Sequence, residues 1–172
     1  VRSLILASTT ASIPLWAAET GRLRRELSPE NCAVMDTLEA TGRTSDPAYA
    51  AAFMEFVTKH VCRIPPPEHV LTALGRVNNA LYASLWGASE FQPDGALREW
   101  DVTGQLGELH LPTLIISGEH DEATPALGAA LQAGIPGAQR VIVAEAAHIG
   151  MVEQPDAYRA ALTTFLAGVE GV

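Results

Sequence analysis

The sequence predicts an α/β fold on a parallel sheet, with a long helical segment inserted between the first and second strands. Three observations carry this. The runs Ser3–Ala7, Thr113–Ser117 and Arg140–Ala144 are continuously apolar without clean alternation, the pattern of parallel strands buried on both faces. From Thr113 onward the order is strand, helix, strand, helix, which builds a parallel sheet. Between the first and second runs lie about 90 residues of helical character, too many for an ordinary crossover.

Each element has a local signature. Ser12 and Pro14 open a helix over 14–27, and Ser28-Pro29 opens the next, which Gly42 ends. Asp46-Pro47 opens a third, with Tyr49, Phe53, Phe56 and Val57 on one side. Pro65-Pro66-Pro67 breaks the chain, and one helix is predicted from about Glu68 to Trp86. Further helices are predicted over 125–134 and 155–168, each with Pro at its start. The expected division is 1–10 as a core strand, 11–100 as a helical subdomain, and 101–172 as the rest of the core.

Composition narrows the class. A chain of 172 residues suits one domain, and 48% hydrophobic against 18% charged residues gives a globular protein able to fill a core. A net charge of −9 argues against binding a nucleic-acid backbone and favours cationic ligands. Cys32 and Cys62 lack the number and spacing of a disulfide framework or metal site and are expected as small buried hydrophobes. No apolar run reaches the ~18 residues of a membrane span, and VRSLILAS lacks a cleavage pattern. A cytoplasmic setting is therefore expected, with no cofactor or metal. Val1 is not Met and the chain opens inside an apolar run, so we expect it to be part of a larger protein.

Two loops hold the candidate chemistry. Asp121 follows the second strand and His148 the third, and loops at the carboxyl ends of parallel strands converge on a ligand crevice. An acid there can accept the Nδ1 proton of an imidazole and fix its tautomer, leaving the ring to take a proton from a nucleophile.

PTLIISGEHDEATP followed by AEAAHIGMVEQPDAYRAALTTFL resembles the last third of an α/β-hydrolase, in which the order is nucleophile, acid, histidine. Asp121 matches the acid position and His148 the base. LYASLWGASEF and LREWDVTGQLGELHLPTL resemble the junction between cap and core in proline iminopeptidases. That resemblance implies the C-terminal part of an α/β-hydrolase sheet with an inserted helical cap. It implies a serine hydrolase that releases an N-terminal residue, often proline, from peptides or amides. It also implies that Glu90 and Glu122 bind the free α-amino group of a peptide or amino-acid amide, as paired carboxylates favour an ammonium ion.

One departure stands out. The family nucleophile sits in G-x-S-x-G, and this chain has none; Gly87-Ala88-Ser89-Glu90-Phe91 differs at its last position and lies in the helical segment. The resemblance thus implies that the nucleophile and oxyanion loop come from an N-terminal half of the fold, as partner or preceding segment, and that this chain alone is inactive. Alternatives are another capped hydrolase (amidase, esterase or epoxide hydrolase) or a truncated, non-catalytic module. His60, His69, His110 and His120 are expected to be structural or solvated, and Arg22, Arg24 and Arg25 to form a solvated helix face. Trp16 and Trp100 are expected in the core, while Trp86, four residues before Glu90, is expected to line the pocket.

Overall fold

The computed structural model describes residues 1–171, and among these three strands form one sheet. They are β1 (Leu4–Ala7), β2 (Thr113–Gly118) and β3 (Gln139–Val143), in the order β1-β2-β3 and all parallel. Ile5 pairs with Leu114 and Ile116 with Val141 in the register. The predicted strands and their parallel sense hold. Burial on both faces holds only for central β2; Ile5 and Ile142 are exposed on the flanking strands, each of which has one neighbour.

Successive β2 side chains point to opposite faces. Leu114 and Ile116 pack with Tyr158 and Phe165 of the final helix, while Ile115 packs with Leu131, Ile135 and Leu106. These partners lie on α8 (Pro155–Glu170), on and just past α6 (Pro125–Gly134), and on the 3-10 turn Thr103–Glu108. A short helix α7 (Gly150–Glu153) precedes α8; neither it nor the 3-10 turn has a separate local signal in the residues. No helix among the described residues is long and apolar enough to cross a membrane.

Between β1 and β2 lie α1 (Ile13–Arg24), α2 (Pro29–Ala40), α3 (Pro47–Phe56), a π-helical turn (Val57–Val61), α4 (Glu68–Leu74) and α5 (Asn79–Leu85). Their starts are built as the caps foretell. The side chains of Ser12, Ser28 and Asp46 accept the backbone N–H of Leu15, Asn31 and Ala48. Gly42, at φ 66°, ends α2 in a left-handed turn. The single helix expected from Glu68 to Trp86 is two. The first stops at Gly75, and Asn78 caps the second by accepting the Leu81 N–H at 3.1 Å. An asparagine that can cap offers the backbone an alternative to continuing.

Leu23, Met35, Tyr49, Phe56 and Phe91 form the core of this helical block. The block enters and leaves the sheet region at one place, where Ser12 pairs with Asp101 and the Ile13 N–H donates to Trp100 O at 2.9 Å. Arg24 departs from the expected solvated face. It is buried, donates to both oxygens of Glu39 at 2.8 and 3.0 Å and to Asp36 at 2.7 Å, and lies over the Phe91 ring. A guanidinium is buried only when its donors are met, and two acids one turn apart on α2 meet them.

Candidate active site

Asp121 and His148 meet at the carboxyl ends of β2 and β3. The two loops must run close together, and Gly118 permits it: a Cβ there would lie 2.4 Å from the carbonyl oxygens of Ala146 and Ala147. His148 Nδ1 lies 2.9 Å from Asp121 Oδ1. Asp121 is 1% exposed, and its oxygens are otherwise filled. Oδ1 accepts the Ala123 N–H at 2.8 Å, while Oδ2 accepts the Gly118 N–H at 3.2 Å and the Ser8 hydroxyl at 2.6 Å. Nδ1–H donation to this carboxylate leaves Nε2 free to accept a proton.

Ser8 gave no signal in the sequence. It follows β1 at φ 45°, a conformation rare for a residue with a side chain, and aims its hydroxyl at the acid. Because that proton goes to Asp121, Ser8 sits on the acid's side of the imidazole and buttresses the carboxylate.

His148 faces a cavity of about 480 Å³, with Asp121 buried behind it. Glu90, Glu122 and His148 supply its ionisable lining together with Tyr82, and Trp16, Trp86 and Trp100 supply aromatic walls. Trp86 thus lies where the sequence expected it. Trp16 is in the core as expected, packed with Ala123 and Leu127, and it also lines the cavity; Trp100 departs from the core expectation and is exposed at the cavity edge. Trp16 meets Trp86 edge to face at 5.5 Å and His148 at 6.4 Å, so one indole packs against both the cavity wall and the imidazole.

Glu122 is buried, and its Oε1 is 3.7 Å from His148 Nδ1. Burial pushes its carboxyl up to about 8, Glu90 and Asp121 push the same way, and His148 opposes. Glu90 is partly buried and also shifted up by desolvation, against the Tyr82 hydroxyl that donates to Oε2 at 2.7 Å. Burial by itself lowers the His148 pKa. The bond to Asp121 and the fields of Glu122, Asp121 and Glu90 outweigh it, so the ring is held above its usual value. Among the described residues no Lys or Arg lines the cavity. The arrangement can exchange a proton through His148 and hold a cation between two carboxylates.

Elsewhere, Glu119, His120 and Glu145 bring ligand atoms within 4.8 Å of one another. Glu145 is exposed and paired with Arg63 at 3.1 Å, so this is a surface group.

No family model matches the chain. It is 35% identical over 175 residues to a proline iminopeptidase of Levilactobacillus brevis, a match covering all of this chain and 58% of that protein. It thus spans rather more than half the length of the curated relatives it matches. The structure of VinJ superposes with a TM-score of 0.93 at 30% identity, over 98% of this chain and 58% of that one. The proline iminopeptidase of Mycobacterium smegmatis gives 0.86 at 33% identity, over 97% and 57%.

Proposed function

We propose, for a chain whose fold is the C-terminal part of an α/β-hydrolase and whose sequence resembles proline iminopeptidases, that it belongs to a serine aminopeptidase. The substrate would be a peptide or amino-acid amide with a free N-terminus, often proline. The helical block would form the cap, and the setting would be cytoplasmic. The nucleophilic serine and oxyanion donors would come from an N-terminal segment outside this chain. The observation that carries the reading is the carboxylate pair, Glu90 and Glu122, beside His148 in a cavity that Lys and Arg do not line among the described residues. Such a pair has no Lys or Arg as counter-ion, and a substrate ammonium would supply one.

In the proposed cycle His148 Nε2 takes the hydroxyl proton as the serine oxygen attacks the scissile carbonyl. The ring then passes that proton to the leaving amine, whose C–N bond breaks to give an acyl-enzyme. Water repeats the sequence, and its proton passes through His148 back to the serine. Asp121, held by Ser8 and two backbone N–H groups, keeps the imidazole in the Nδ1–H tautomer. Glu90 and Glu122 fix the α-amine, so the first peptide bond is the one presented.

The test compares prolyl amides with N-acylated prolyl esters on the whole protein. Glu90→Gln and Glu122→Gln should each raise KM for the free-amine substrate by at least about tenfold, the scale of one charge-assisted bond. The blocked ester should change little. Equal effects on both substrates would point instead to an esterase, amidase or epoxide hydrolase. Failure of a serine-directed fluorophosphonate to label the whole protein would favour the non-catalytic alternative. This chain alone should turn over neither substrate.

A further inference from the structure

Helix α3 runs on into the π-helical turn, closed by the Cys62 N–H donating to Val57 O at 2.9 Å. At such an end the last carbonyls lack partners within the helix. His60 O instead accepts the N–H of Glu122 at 3.1 Å and of His148 at 3.2 Å, and Val61 O accepts that of Ile149 at 3.0 Å. The His60 ring makes a third link. Its Nδ1 lies 2.9 Å from His120 O, and because a carbonyl only accepts, Nδ1 carries the proton and donates. One residue therefore grips both neighbours of Asp121 and the backbone of His148.

The ring is also tied to the far side of the cavity. It packs 5.1 Å from Phe56, which meets Phe91 edge to face at 4.9 Å, and Phe91 follows Glu90 in the chain. A second clasp runs beside it: the two carboxylate oxygens of Glu153 accept the Arg63 N–H at 2.7 Å and the Ala147 N–H at 2.8 Å.

We propose that His60 is a positioning residue for the active site, its carbonyl and imidazole locking the Asp121 loop to the His148 loop at one point on the helical block. In this way it fixes the Asp121–His148 hydrogen bond and the stance of Glu122 beside it. The purpose of the lock rests on the aminopeptidase reading; its test does not. Packing by itself would be met by leucine. The ring keeps a donor on a short stem, and its other nitrogen, Nε2, stays buried without a partner, which costs stability a purely apolar residue would not lose. The groups around the ring are Glu26, Lys59 and His120, and burial holds it neutral, so it places no second positive charge near His148. His148 itself faces Asp121 and Glu122 from the β2 loop and Glu90 from the helical block.

The experiment is a pH titration of imidazole-labelled protein by NMR, on the parent, His60→Asn and His60→Leu. Asparagine keeps an N–H near the Nδ1 position; leucine fills the space without one. The parent and His60→Asn should show a low-field Nδ1–H proton on His148 and a raised titration midpoint. Folded His60→Leu should lose that resonance, with the midpoint falling by roughly 0.5–1 unit. An unchanged His148 in folded His60→Leu overturns the proposal, as does an asparagine variant as impaired as leucine. Amide exchange on the parent covers a leucine variant that does not fold. The Glu122 and His148 N–H groups share one acceptor and should open with matching protection; independent opening overturns the lock. None of these readouts requires turnover, so failure of the peptidase reading would appear separately, in the substrate comparison.

Discussion

Two groups of carboxylates lie within reach of the helical block, and they are treated in opposite ways. Glu39 is buried against Arg24, which spans both its oxygens, and it also accepts from the Tyr49 and Ser89 hydroxyls at 2.8 and 2.7 Å. Glu90 and Glu122 face a cavity that no Lys or Arg lines among the described residues, and both are pushed toward the neutral form. The first group is complete, so it holds the fold: Ser89 is anchored in it directly before Glu90, and Phe91 directly after lies under the Arg24 guanidinium. The second is left incomplete at a cost in stability. A protein tolerates that where a ligand completes the charge balance. The finished network thus holds in place the loop that carries one member of the unfinished pair.

The comparison can be broken most sharply at Arg24. Arg24→Met should strand the buried Glu39 and lower stability by about 3–5 kcal/mol, measured by urea unfolding. A loss under about 1 kcal/mol would mean that Glu39 is not held by its cation.

At Glu122 the sign reverses. Its carboxyl is held up to about 8 against an ordinary 4.5, so the folded protein keeps a proton that the unfolded chain releases. That contribution is intact below pH 4.5 and is lost as pH rises through 8. Glu122→Gln stays neutral throughout. It should match the parent near pH 5 and be more stable by on the order of 1–2 kcal/mol at pH 9, seen as a higher Tm there and not at pH 5.

Tyr82→Phe removes the hydroxyl that favours the charged form of Glu90. KM for free-amine substrates should rise about two- to fivefold, the value of one partly exposed hydrogen bond, with N-acyl substrates unaffected. The smallest effect belongs to Asp36, the exposed outer acid of the Arg24 network, with 70% of its side chain in solvent. Asp36→Asn should cost under about 1 kcal/mol. Urea midpoints of Arg24→Met and Asp36→Asn, side by side, separate the buried arm from the exposed one.

Much of the fold was legible because its signals are local. Ser12, Ser28 and Asp46 each satisfy an N–H two or three residues ahead, so a few adjacent letters specify a helix start. The apolar runs located all three strands. The parallel order of strands and helices then put Asp121 and His148 in neighbouring loops, and their 2.9 Å contact follows from topology. Where a local signal had a local rival, as at Asn78 capping α5 inside an expected helix, the reading failed.

The sequence by itself thus determined the strands, most helix starts and the Asp121 and His148 loops, and family resemblance named Glu90 and Glu122 as candidates. Only the tertiary structure decided that Ser8 buttresses an acid 113 residues away, that Arg24 is buried while Arg22 and Arg25 are not, and that His60 spans both the Asp121 and the His148 loops. Capping and strand formation are settled within one turn or one strand. A buried polar contact between distant segments is settled by which donors and acceptors the packed core leaves facing each other, and that is fixed only once the helices have docked on the sheet.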